Sequence, residues 1–171
     1  YKKHRKKFCL SGGIRFDLCK KQILKKAYKN QIEEIETKYG RSYILVATSF
    51  LSSKKEIKNY TNSDKYFFKH LPKSYIKKRY YHLRSMVKLG LKFKSLILCL
   101  CKSFPEKKIL IKPHPSENLN DWLSFKKKNY KICQNLEIEA KYDLNALIYN
   151  CFCLIHSEST AGLQSYLQGK P

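Results

Sequence analysis

Carboxylates are scarce in this chain: 13 Asp and Glu stand against 36 Lys and Arg, a formal charge of +23. Such a surface attracts anions, whether nucleic acid, anionic lipid or a phosphorylated substrate. The lysines are spread along the whole chain and form no block of the kind a DNA-binding tail shows. Lys-rich composition alongside abundant Asn, Ile, Tyr and Phe is also what an AT-rich coding sequence produces. Long apolar runs are missing too. The longest, around Leu96–Cys101, is far too short to span a bilayer, and Tyr1–Phe8 has no apolar signal-peptide core. There is no G-x-S-x-G elbow, no P-loop and no G-x-G-x-x-G, so serine hydrolase, NTPase and dinucleotide readings have no support. The seven cysteines include no C-x-x-C spacing. Cys99/Cys101 and Cys151/Cys153 are C-x-C pairs inside apolar runs, which on a strand would put both members on one face as small buried hydrophobes. No metal site and no cofactor are expected.

What is present is an alternation of strand and helix signals. Lys7–Ser11 reads as the end of a first strand before a turn at Gly12-Gly13, and Phe16–Tyr39 carries a helical apolar spacing that Gly40 stops. Ser42–Thr48 is a β-rich apolar run suited to a strand buried on both faces. Residues 51–70 read as a polar loop, with room for a short helix. A helix from Pro72 to Leu89 is expected to break at Gly90 before a second piece, Leu91–Phe104. Strands at Lys108–Ile111, Tyr130–Cys133 and Cys151–Ile155 alternate with helices at Asn118–Lys128 and Leu144–Asn150. The expected fold class is therefore α/β, a Rossmann-like parallel sheet with helices on both faces.

In such sheets ligands sit at the carboxyl ends of the strands, and the polar motifs fall there: Thr48-Ser49, Lys112–Glu117 and His156–Thr160. Prolines on both sides of His114 fix its backbone, so beside Lys112 it can donate to a phosphate oxygen or act as an acid as a bond breaks. Ser116-Glu117 would then begin the next helix in N-cap fashion. The competing reading is an ordinary strand-to-helix turn in which His114 caps backbone groups. Ser157, Ser159 and Thr160 offer hydroxyls at the start of an apolar-periodic helix, where free N–H groups favour an anion, and Gly162 permits close approach. An ordinary capped helix start is the alternative. Arg15 follows the first strand and is either a phosphate contact or the partner of an N-capping Asp17.

Taken in order, these motifs resemble the C-terminal half of a GT-B glycosyltransferase, closest to bacterial capsule and lipopolysaccharide biosynthesis proteins related to capsular Kdo transferases and CDP-glycerol glycerophosphotransferases. Ser11-Gly-Gly-Ile-Arg15-Phe-Asp17-Leu18 is similar to that group's Gly-Asn-Pro-Arg-Phe-Asp-Leu-Leu entry into the C-terminal domain. Tyr39–Phe50 is similar to its "yG-x-x-iLvnTnF" strand, Lys112–Glu117 to its "R-P-H-P-x-E" turn, and His156–Pro171 to its "H-x-x-x-T-x-G-x-E-A-x-x-x-G-K-P" helix. This chain departs from the pattern at Gly13, Ile14 and Lys112, and it carries Gln164-Ser165 where the group has Glu-Ala.

The resemblance implies a nucleotide-sugar donor, in the CMP-activated case gripped at the phosphate by the His-Pro and Ser/Thr-rich turns. On this chain those are Lys112, His114-Pro115, His156, Ser157, Ser159, Thr160 and Gly162, with His114 catalytic and Gln164 and Glu117 contacting the sugar. The acceptor would be a glycan or glycolipid, the general base would lie in an N-terminal half, and no metal would be needed. Residues 1–15 would be the interdomain connection and first strand, and 16–171 a nucleotide-sugar-binding domain stopped at Gly169-Lys-Pro171 where another strand is expected. The implied setting is a cytoplasmic fragment of a surface-polysaccharide enzyme, with the inner-membrane surface as a further partner and nucleic acid not expected. The alternatives are a UDP-GlcNAc 2-epimerase-like enzyme, a basic nucleic-acid-binding module and a non-catalytic relative.

Overall fold

The run Tyr43–Ala47 forms strand β1, and all five of its residues are buried. A strand buried on both faces needs a neighbour along each edge and cover above and below. Its neighbours are β2 (Ile109–Lys112) and β4 (Cys151–His156), and β3 (Leu136–Ile138) pairs with β2 in turn. Every pairing is parallel and the strand order is β3-β2-β1-β4. The structure, a computed structural model, describes residues 13–50, 70, 72–157 and 159–171, the side chains of Ile14 and Arg15 excepted.

The strand period of two sorts the core into two layers. Tyr43, Leu45, Ala47 and Leu110 face helices α2 (Lys21–Ala27), α3 (Lys29–Tyr39) and α6 (Leu144–Asn150), meeting Leu24, Ile35 and Leu147. Ile44, Val46, Ile109 and Ile111 face α4 (Lys73–Ser103) and α5 (Leu119–Lys128), meeting Ile97, Cys101 and Trp122. Helix α7 (Ala161–Leu167) joins the first layer through Ala161, and the short α1 (Ile14–Asp17) precedes α2. This is an α/β, Rossmann-like arrangement with helices on both faces. Leu154 N–H donates to the Pro171 carbonyl at 2.8 Å, so the residues after α7 run beside β4.

Several expectations are corrected. The single helix over Phe16–Tyr39 is three, and the first interruption sinks Cys19 to 1% exposure, with its Sγ 3.5 Å from Asn145 Oδ1. Gly90 does not break α4, which runs unbroken for 31 residues. One glycine costs a helix about 1 kcal/mol, and the packing of Leu89 and Phe93 on either side outweighs that. The strand expected at Tyr130–Cys133 is a turn, closed by Cys133 N–H to the Asn129 carbonyl at 3.0 Å; the third strand lies at Leu136–Ile138. Ser116-Glu117 does not cap α5. Asn118 does, its side chain accepting from Asn120 N–H at 3.1 Å.

The C-x-C pairs also behave differently. Cys99 and Cys101 sit on helix α4, where alternate residues point apart, and Cys99 is exposed while Cys101 is buried. On β4 the register slips between Tyr43 and Ile44, so Cys151 pairs Tyr43 and Cys153 pairs Ile44. That bulge turns the two cysteines into opposite layers. The expected first strand at Lys7–Ser11 and most of the expected loop at 51–70 lie outside the described residues.

Candidate functional site

Strands β1, β2 and β3 step outward to one side, and β4 then returns to the far side of β1. Where a parallel sheet reverses direction in this way, adjacent loops diverge and leave a crevice at the carboxyl ends. A cleft of about 660 Å³ opens there. Four segments line it: Ala47–Ser49 after β1, Lys112–Pro115 after β2, Lys141–Leu144 between β3 and α6, and Ser159-Thr160 after β4.

His114 has a defined orientation within this wall. Its Nδ1 accepts from Ser116 N–H at 3.2 Å and lies 2.7 Å from Ser116 Oγ. An amide N–H can only donate, so Nδ1 is the bare nitrogen of the neutral ring and Nε2 carries the proton. A ring held in this tautomer offers Nε2–H as a donor to an anion. Lys112 Nζ donates to the Ala140 carbonyl at 2.7 Å. Burial pushes the pKa of this lysine below the usual value, while the nearby Glu139 and Asp143 charges favour its cation. Lys141, also on the rim, pairs with Glu34 at 2.8 Å. Asp143 caps α6 by accepting from Asn145 N–H at 2.8 Å.

Across the cleft, Ser159 Oγ accepts from Ala161 N–H at 3.2 Å, whereas Thr160 makes no side-chain cap bond. Lys112, His114, Pro115, Ser159 and Thr160 are thus brought together. Ser157 lies on the same turn but outside the lining. His156 folds back over the first turn of α7: a Cβ placed on Gly162 would sit 2.2 Å from its Nε2. Gly162 therefore makes room for an imidazole of this chain. Gln164 is 3% exposed and gives its Nε2–H to Asn145 Oδ1 at 3.0 Å, and its Oε1 is buried without a partner among the described residues. The Arg15 side chain lies outside the described set.

Glu117 faces away from the cleft, towards α5. It accepts from Thr48 Oγ1 and Trp122 Nε1, both at 2.7 Å, and from Phe50 N–H. Burial pushes its carboxyl pKa up against those donors. It fixes the loop after β1 and reaches the cleft only through Thr48. Lys141 and Asp143 are lining residues that the sequence reading missed. Placing β3 at Leu136–Ile138 would have exposed them as the carboxyl end of a strand.

A second hollow of about 420 Å³ lies at the opposite, amino end of the sheet, beside Arg41 and Lys170. Two of its cations are committed, Arg41 to Glu36 and Lys170 to the Cys151 carbonyl, each at 2.9 Å. Among the described residues no three His, Cys, Asp or Glu side chains gather as metal ligands would, and no helix is long and apolar enough to cross a membrane. Comparison with protein-family models, curated proteins and solved structures finds no match to this chain.

Proposed function

We propose that this chain is the donor-binding domain of a GT-B-type glycosyltransferase of cell-surface polysaccharide synthesis, and that its cleft holds the phosphate of a nucleotide-sugar. One observation carries the reading: Lys112 and His114 after β2 share a cleft with the hydroxyls of Ser159 and Thr160 after β4. These groups match a phosphate, which needs cationic balance and several donors, and Asp143 on the same wall is engaged in capping α6. In the transfer step an acceptor hydroxyl forms a bond to the anomeric carbon as the bond from that carbon to the phosphate oxygen breaks. Negative charge builds on the departing phosphate, where Lys112 and the His114 Nε2–H stabilise it. The acceptor proton passes to a general base, which in such enzymes stands on the other half. Thr48 and Glu117 act as positioning residues for the wall beside the sugar.

The test is thermal unfolding of the chain with CMP, CDP, UDP or a short duplex DNA, and of His114→Ala alongside. A ligand that binds only the folded state raises the midpoint, by about 5–10 °C at a hundredfold excess over Kd. One nucleotide should do so, with affinity about tenfold weaker in His114→Ala from loss of a charge-assisted hydrogen bond. Absence of any nucleotide response, with salt-sensitive DNA binding in its place, would overturn the proposal and favour a basic nucleic-acid module.

A further inference from the structure

Helix α4 is built unlike the other helices. Its 31 residues span about 46 Å at 1.5 Å per residue, far more than a five-residue strand beside it requires. Phe93 stacks on Phe50 just past the end of β1, with ring centroids 4.7 Å apart. The turns before Phe93 therefore project beyond the carboxyl ends of the strands, the end where the cleft opens. The helix carries seven lysines, two arginines and no carboxylate.

One stripe of its exposed residues follows steps of three and four: Lys73, Lys77, Tyr80-Tyr81, Arg84, Lys88, Leu91-Lys92. Among the described residues none of Lys73, Lys77, Arg84, Lys88 or Lys92 is ion-paired. Between these cations Tyr80, Tyr81 and Leu91 stand 42%, 55% and 61% exposed. The buried side of the same helix is separate, carrying Leu83, Ile97 and Cys101.

We infer that this outward stripe of α4 docks on an anionic phospholipid surface. Cations without an ion pair, spaced along one stripe of a helix, match a plane of phosphate headgroups. Tyrosines occupy the headgroup boundary, and an exposed leucine gains by entering the acyl region. Leu91 separates this occupant from nucleic acid, because an aliphatic side chain has no base to stack on. The membrane contact then lies at the same end of the molecule as the cleft. The inference rests on α4 alone and does not depend on what the cleft binds.

The test is co-sedimentation of the full chain with phosphatidylcholine vesicles, with and without phosphatidylglycerol. The chain should partition onto the anionic vesicles only. Reversing three stripe cations (Lys77→Glu, Arg84→Glu, Lys88→Glu) should weaken partition at least about a hundredfold. A charge-matched control on α2 and α3 (Lys21→Glu, Lys25→Glu, Lys29→Glu) should retain most of the binding. Equal loss in the two triple variants would mean diffuse attraction to a basic protein and would overturn the assignment. In Tyr81→Trp the new indole should shift to shorter emission wavelength on anionic vesicles, against a constant background from the buried Trp122. An unshifted emission, or duplex DNA bound more tightly than vesicles through the same three cations, would also overturn it. Nucleotide binding, measured separately, is unaffected by either result.

Discussion

Glu139, buried, and Glu117, half-buried, are carboxylates on opposite faces of the same sheet, one just after β3 and the other beyond β2, and their protons are held in opposite ways. Glu139, 3% exposed, accepts from the Tyr39 hydroxyl at 2.6 Å, from Lys141 N–H at 2.6 Å and from Lys38 Nζ at 3.2 Å. Burial raises its pKa, but those donors outweigh burial and hold the carboxyl below its usual value. The same burial and the shared carboxylate push the Tyr39 hydroxyl up to about 12. Glu117 has three donors as well, but a hydroxyl, an indole N–H and a backbone N–H are all neutral, and its pKa ends raised. The number of hydrogen bonds does not decide the sign. At Glu139 the Tyr39 hydroxyl, the Lys141 N–H and then Lys38 together outweigh burial, whereas at Glu117 burial outweighs its donors. Each carboxylate also fastens a segment that lines the cleft, Glu139 the Lys141–Tyr142 turn and Glu117 the Thr48 loop.

Removing these side chains is the most forceful way to break the comparison. Glu139→Ala strands a buried tyrosine hydroxyl and a turn N–H, and should destabilise the fold by about 3–5 kcal/mol. Glu117→Ala leaves an indole N–H, a hydroxyl and a backbone N–H beside a partly open pocket, and should cost about 2–3 kcal/mol. Denaturant midpoints at neutral pH rank the two. The reverse ranking would mean that the loop after β1, and not the turn after β3, is the tighter fastening.

A finer test uses the sign of the shifts. Glu139 has a depressed folded pKa, so its contribution is present above the ordinary glutamate pKa of about 4.3 and is lost as pH falls through the folded value. Glu117 has a raised folded pKa, so its contribution is full below the ordinary value and is lost as pH rises through the folded one. Stability measured from about pH 3.5 to 7 should therefore show two opposite trends. The gap between wild type and Glu139→Gln widens with rising pH, and the gap for Glu117→Gln narrows. Two gaps moving in the same direction would refute the account given for the difference.

Neither fastening was legible in the sequence. Glu139 meets Tyr39 across 100 positions and Glu117 meets Thr48 across 69, and no local pattern records such separations. Strand β1 was legible because a continuous apolar run is a local signal, and the helix read at Leu144–Asn150 is α6 with the same bounds. The three-residue β3 was not, since a short edge strand buries too little to outweigh the apolar letters of the turn before it. That error hid Lys141 and Asp143. Lys112, His114, Ser159 and Thr160 stood out because polar residues at the end of an apolar strand are conspicuous whatever their partners. Only the sheet order placed them in one cleft.

The smallest expected effect is at Gly162, where the close contact is to a movable side chain and not to a fixed backbone. A Cβ there would lie 2.2 Å from His156 Nε2 and 2.4 Å from Cε1. The imidazole is the far end of an exposed side chain and can swing outward, unlike Tyr39 or Trp122 against their carboxylates. Alanine is also the better helix former by about 1 kcal/mol, which offsets the lost ring contact. Gly162→Ala should therefore leave the unfolding free energy within about 1 kcal/mol of wild type, while the His156 ring resonances in an NMR spectrum move. Unmoved resonances with a loss of several kcal/mol would mean that α7 shifts bodily and the ring stays. His156 would then be as firmly fixed at the cleft end of β4 as the loops that the two carboxylates hold.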